Sequence, residues 1–299
     1  MTLEQARKAL DKFFGYKHFR PMQAEIIQAV YDRRDVVVLM PTGGGKSICY
    51  QVPALTMDGT VLVVSPLISL MRDQVEALRA NGIPAAFLNS SLSANEQRQV
   101  EEDLFQGRLR LLYVSPERLV SQEFLPMLKS APISLFAIDE AHCISAWGHD
   151  FRPEYGQLRF LKKQFPEVPV MALTATADKI TRRDIVRQLG LQQPEVFVAS
   201  FDRPNLSLEV RPGQKRREQI LRFIRERRGE SGIIYCQSRK ATEELAATLA
   251  LTGLRVDYYH AGRTTEERSR VQDAFIRDEL DVVVATVAFG MGIDKSNVR

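Results

Sequence analysis

The chain has 299 residues, with 41 Lys+Arg against 37 Asp+Glu and a formal net charge of +4. With 44% hydrophobic and 26% charged residues, it has ordinary globular usage, which argues against disordered, collagen-like and disulfide-scaffold classes. The length suggests about two domains, and the small positive charge permits a polyanionic partner if the basic residues cluster.

Short β-branched runs alternate with longer amphipathic ones. DVVVLM (35–40), TVLVVS (60–65), LRLLYVS (109–115), ISLFAID (133–139), VPVMALT (168–174) and EVFVAS (195–200) predict strands. LISLMRDQVEALRANG between the second and third of these predicts a helix, with Leu67, Leu70, Met71, Val75 and Leu78 on one face and Gly82 ending it. The pattern restarts with SGIIYCQS (231–238), LRVDYYHA (254–261) and LDVVVATV (280–287), separated by helical segments. Apolar strands alternating with helices predict parallel sheets covered on both faces. The stretch SFDRPNLSLEVRPGQ (200–214) carries two prolines and a glycine, so a boundary is expected near 205, giving domains 1–204 and 205–299. The second has only three strands and stops just after a strand and turn, which reads as a truncated unit.

Three separated cysteines, Cys49, Cys143 and Cys236, form no CxxC pair. No zinc site is therefore expected within these residues, nor a secreted disulfide framework. No segment approaches the ~18 apolar residues of a membrane span, and the N-terminus lacks a signal-type apolar run. A soluble protein of a reducing compartment, with no membrane partner, is the expectation.

The first strand runs into PTGGGKSICYQVPAL. Gly43, Gly44 and Gly45 let the backbone approach an anion and turn N–H groups toward it. Lys46 supplies charge for the β- and γ-phosphates, the Ser47 hydroxyl can ligate Mg²⁺, and the next helix presents its N-terminus. The general pattern GxxxxGK[ST] would want glycine at position 40, where this chain has Met40; the spacing is nearer the GxGK[ST] variant. LFAIDEAH (135–142) ends an apolar strand in Asp139 and Glu140. Asp139 is placed to bind Mg²⁺ through water and Glu140 to orient or deprotonate an attacking water. An Asp-Glu pair also commonly caps a helix; the preceding phosphate loop and the strand context favour the chemical reading.

PTGGGKS, DEAH, ALTATA (172–177) and ATVAFGMGID (285–294) resemble motifs I, II, III and V of superfamily 2 helicases. FGYKHFRPMQ (14–23), DEAHCISAWGHDFRPEY (139–155) and SFDRPN (200–205) resemble the RecQ family of DNA helicases. The resemblance implies an α/β fold of two tandem RecA-like parallel-sheet domains, the second incomplete here. It implies ATP and Mg²⁺ as cofactors and 3′–5′ movement on DNA, with roles in repair and recombination. The expected setting is a monomer in the cytoplasm, associated with the nucleoid.

By the same resemblance, Tyr16 stacks on adenine, Gln23 reads its edge and Arg20 lies near base and phosphates, with Thr42 completing the nucleotide site beside Gly43–Ser47. Tyr16 and Phe19 could instead be core aromatics. His142 is expected to link the nucleotide site to motif III through Thr174 or Thr176; a plain buried histidine is the alternative. AWGHDFRPEY resembles the family's aromatic-rich loop, with Trp147, Phe151 and Arg152 as stacking and phosphate contacts and His149 in a coupling role. Trp147 is the sole tryptophan, a type more often found in cores, but its glycine, histidine and proline neighbours describe a loop. Thr286 and the segments SPLISL (65–70), SPERL (115–119), YCQSR (235–239) and HAG (260–262) are further nucleic-acid candidates, each serine equally able to cap a helix. The Lys/Arg-rich 215–228 reads as a solvated face or a backbone contact. The family's arginine-bearing QxxGRxGRD motif does not occur in these residues, which predicts weak ATP binding and poor hydrolysis. A nucleotide- and DNA-binding fragment without efficient turnover is therefore the alternative function.

Overall fold

A computed structural model describes all residues except 122, 146–150, 201–205, 290–294, 296 and 299, and the side chain of residue 69. The chain divides into two compact units, Met1–Asn205 and Leu206–Arg299.

The first unit is built on a sheet of seven strands: β1 (Val36–Leu39), β2 (Thr60–Val64), β3 (Ala85–Leu88), β4 (Leu111–Val114), β5 (Ile133–Ile138), β6 (Val170–Thr174) and β7 (Glu195–Val198). Their order is β3-β4-β2-β5-β6-β1-β7 and every pair is parallel. Alternation along each strand sends Val36, Val38, Val61 and Val63 into one core and Val37, Leu39, Leu62 and Val64 into another. Helices pack over both layers, so the central strands are apolar on both faces, as parallel sheets require. β3 is not anticipated by the sequence pattern. Its Ala-Ala-Phe-Leu has no β-branched residue, and it is held as a strand by its register on β4, Ala85 opposite Leu111.

Two chain reversals position the site. Helix Leu3–Phe14 starts on a capping box between Thr2 and Gln5 and stops at Gly15, whose φ of 72° is left-handed. Helix Gln23–Tyr31 begins after Met22, also left-handed at φ 70°. Residues 15–22 therefore form a short loop carrying Tyr16 and Arg20 next to the glycine-rich turn after β1.

The second unit holds strands β8 (Gly232–Tyr235), β9 (Val256–Tyr259) and β10 (Val282–Ala285), ordered β8-β10-β9 and parallel. One face buries Tyr259, Phe275 and Phe289 against Val283, the rings of Tyr259 and Phe289 lying 4.7 Å apart. The other buries Ala246 and Leu249 against Val282 and Val284. Helix Arg216–Glu226 has no buried residue, and its Arg222 pairs with Glu226 along the exposed surface at 2.8 Å. The Lys/Arg-rich segment is thus mostly a solvated helical face. No helix among the described residues is long and apolar enough to cross a membrane.

Candidate functional site

The strand order sets β5, β6 and β1 side by side. Their C-terminal ends carry Asp139, Thr174 and the glycine-rich loop, so residues distant in sequence meet at one sheet edge. The ladder continues past the strands: Met40 N–H donates to the Thr174 carbonyl at 3.2 Å, and Asp139 N–H to the Val64 carbonyl at 2.9 Å. Ligands of open α/β sheets bind at such an edge.

Gly43 and Gly45 adopt φ of 76° and 86°, a region that favours glycine. A Cβ on Gly44 would lie 2.9 Å from the Pro41 carbonyl oxygen. Gly44 N–H donates to that same oxygen at 2.9 Å. Among the described residues, the N–H groups of Gly43, Gly45, Lys46 and Ser47 have no acceptor. Four unpaired donors thus open toward the N-terminus of helix Ile48–Thr56, an arrangement suited to an anion. Lys46 Nζ lies over the loop, donating to the Met40 carbonyl at 3.2 Å. Thr42 is exposed at the loop's outer edge.

Two residues of the 15–23 segment clamp this loop from behind. The Arg20 guanidinium donates to the Gly43 carbonyl. Gln23 Nε2 donates to the Gly45 carbonyl at 3.0 Å, while Gln23 Oε1 accepts from Arg20 N–H at 2.8 Å. The Gln23 amide keeps one N–H and one lone pair beyond these bonds. Tyr16 is 54% exposed, so it is no core aromatic; Phe19 is the ring that packs on the core.

Asp139 is buried, and its carboxyl is raised to about 6 by that burial first and by the Glu140 charge second, with Lys46 and His142 opposing. The opposing effect of Lys46 places the ammonium and the carboxylate in one electrostatic neighbourhood. Glu140 is left-handed at φ 46°, a strained conformation for a residue with a side chain. It turns the chain sharply into the short helix Ala141–Ile144. Glu140 Oε2 lies 3.2 Å from His142 Nδ1, and Thr174 Oγ lies 3.0 Å from the same nitrogen. Thr174 gives its own proton to the Thr176 carbonyl and accepts from Thr176 N–H, both at 3.1 Å. Its oxygen is therefore the acceptor for His142, which fixes the Nδ1–H tautomer.

Sequence reasoning assigned nothing to Tyr155, whose buried hydroxyl donates to the Asp139 carbonyl at 2.9 Å. It also missed Tyr50 and Tyr113, fully buried beside the site. The available signal was chemical: a buried phenol requires a partner. Ser65, at the end of β2, has a buried hydroxyl without a hydrogen-bond partner among the described residues. Phe151 is 47% exposed and Arg152 half-buried. Trp147 and His149 lie outside the described residues, as do 201–205 and 290–294 of the motifs. Thr286 follows β10 in the second unit, its N–H donating to the Tyr259 carbonyl at 3.1 Å. The described residues contain no cluster of three or more His, Cys, Asp or Glu able to hold a metal on their own.

Comparison with known proteins bears on this arrangement. The DEAD/DEAH box helicase family matches residues 20–184, and the helicase conserved C-terminal domain matches 215–299. The chain is 54% identical to an ATP-dependent DNA helicase RecQ of Pasteurella multocida over 99% of its own length and 47% of the relative's. It is 46% identical to the Bacillus subtilis RecQ over 99% of its length and 51% of that protein's. The chain thus spans about half the length of these relatives. Among solved structures, the Mycobacterium smegmatis helicase Lhr bound to ssDNA and AMP-PNP has a similar fold, with a TM-score of 0.72 at 20% identity, covering 98% of this chain and 42% of that one. The helicase MrfA bound to DNA gives 0.76 at 18% identity, over 99% of this chain and 46% of that one. Two parallel RecA-like sheets, a glycine cradle beside a DEAH turn, the family match and 46–54% identity across 99% of the chain place it in the DEAD/DEAH box helicase family, among sequences of the RecQ type.

Proposed function

We propose that the chain is the ATP-driven motor region of a RecQ-type 3′–5′ DNA helicase, acting in DNA repair and recombination as a cytoplasmic, nucleoid-associated monomer. The observation that carries the reading is the row of four unpaired N–H donors beside Lys46, one sheet edge shared with Asp139.

The residues present fit MgATP. The loop's free donors and Lys46 take the phosphates, and the glycines leave room where a Cβ would collide. Ser47 and Asp139 are the residues that would hold magnesium, which neutralises phosphate charge when bound. Tyr16 offers an open ring face for the base, and Gln23 its remaining N–H and lone pair. Glu140 orients or deprotonates the attacking water. The turn through Ala141–Ile144 ties that carboxylate to His142 and, through Thr174, to the next strand. Phe151 and Arg152 on the downstream loop, with Trp147 and His149, would carry the signal to unpaired DNA, and Thr286 would contact the strand from the second unit.

A fluorescent ATP analogue and a labelled single-stranded oligonucleotide test this. The wild-type chain binds both, and oligonucleotide affinity falls steeply between low and high salt as phosphate contacts release counterions. Lys46→Ala weakens analogue binding at least ten-fold. Equal affinity in the two proteins would overturn the assignment.

A further inference from the structure

Helix Lys179–Leu189 follows β6 and packs on the sheet face that carries Val37, with Ile185 and Leu189 in the same core. It does not cover the outermost strand, β7. Val196 stands opposite Val37 on that face, yet it is 48% exposed. The gap is a groove of about 680 Å³, wholly within the first unit. Val186 and Val196 give it apolar walls, and Arg159, Lys179, Arg183 and Arg187 line it with positive charge. No carboxylate and no aromatic ring lines it among the described residues.

Lys179, Arg183 and Arg187 recur every four residues, so they share one helix face and spread along about 12 Å of it. Like charges at that spacing oppose helix formation. Arg159 lies across the end of the same helix, where a Cβ on Gly190 would come within 3.3 Å of its Cγ and Nε. Arg187 pairs with Asp184 at 2.8 Å, whereas Arg159, Lys179 and Arg183 make no ion pair among the described residues. The neighbouring carboxylates face elsewhere: Asp35 holds Lys162 at 3.0 Å and Glu195 holds Arg34 at 2.7 Å. The basic helix of the second unit differs on this point. There Lys215 meets Glu218 at 3.6 Å and Arg222 meets Glu226 at 2.8 Å, as on a solvated face.

A cleft of one charge sign with apolar walls focuses its field outward and draws in a polyanion. Unpaired bases need rings to stack on, and this groove offers none. A duplex turns its bases inward and presents phosphates alone. We propose that the groove between helix Lys179–Leu189 and β7 holds the phosphate backbone of duplex DNA, a contact separate from the stacking loop around Trp147. The proposal rests on the DNA reading above and adds a second surface to it.

The test measures binding of the full chain to a labelled DNA duplex and to one of its separated strands over a range of salt. Each phosphate contact contributes about 0.9 to the slope of log affinity against log salt. The triple variant Arg159→Ala, Lys179→Ala, Arg183→Ala therefore loses about 2.7 from the duplex slope. From about 50 to about 200 mM salt, the wild type then loses about 40-fold more duplex affinity than the variant does. Single-strand binding and binding of the fluorescent ATP analogue stay as in the wild type. Arg159→Lys with Arg183→Lys, which keeps the charge, keeps the duplex slope. An unchanged slope in the triple variant overturns the proposal, and so does an equal fall on duplex and single strand. A wild type that binds the single strand but no duplex also overturns it, and leaves the DNA reading standing. A wild type that binds neither overturns that reading itself.

Discussion

Gly45→Ala offers a quantitative probe of the clamp on the phosphate loop. Gly45 sits at φ 86°, and a Cβ there would land on the Gln23 amide nitrogen. Left-handed backbone costs an L-residue about 1–2 kcal/mol. Displacing the Gln23 amide also breaks its bonds to the Gly45 carbonyl and Arg20 N–H, at about 1 kcal/mol each. The total loss is about 3–4 kcal/mol. Gly82→Ala is the control: its φ is 74° and nothing lies within 4 Å of the new methyl, so only the backbone strain of about 1–2 kcal/mol remains. Urea unfolding followed by far-UV circular dichroism compares them. Gly45→Ala should be less stable than Gly82→Ala by about 2 kcal/mol. Equal losses would refute the claim that Gln23 braces the loop.

Thr174→Val strips the acceptor from His142 Nδ1–H and Thr176 N–H inside a buried strand end. Urea unfolding should show a loss of about 1–3 kcal/mol, largely recovered in Thr174→Ser. Burial pushes the Cys49 thiol up to about 12 from 9.0, whereas Cys236 is half-exposed. Mass spectrometry after alkylation of the native chain should find Cys236 modified and Cys49 intact. As pH rises from 9 toward 12, the unfolded chain releases the Cys49 proton while the folded chain keeps it, so stability falls across that window. Cys49→Ala should flatten that alkaline loss in thermal melts. Leu208 and Val210 are 96% and 99% exposed and lie in no helix or strand. Thermolysin should therefore cut at 206–210 first and leave a first-unit fragment, read by intact mass.

Strands rich in valine and isoleucine were legible because β-branched runs have few other uses. β3 was not, since Ala85–Leu88 becomes a strand only through its partner β4. The residue types of the site were legible from the glycines, Lys46 and the DEAH turn. Their partners were legible only in part: the family resemblance pointed His142 toward Thr174 or Thr176, and Thr174 is the one it meets, but no spacing rule shows that Gln23 holds the Gly45 carbonyl. Tyr50 and Tyr113 were hidden for the opposite reason. Each sits in an apolar stretch where a ring looks like ordinary core, and their hydroxyls meet only after helix Ile48–Thr56 is laid on the sheet over β2 and β5.

Arg20 and Gln23 grip the carbonyls of Gly43 and Gly45 from the segment that also displays Tyr16. On the proposed nucleotide reading, one stretch of chain thereby answers for two affinities, one for the base and one for the phosphates. Retuning base preference through Gln23 would then also loosen the turn that faces the phosphates. A variant selected for accepting a different purine should therefore show a weaker hold on inorganic triphosphate, a ligand that has no base at all.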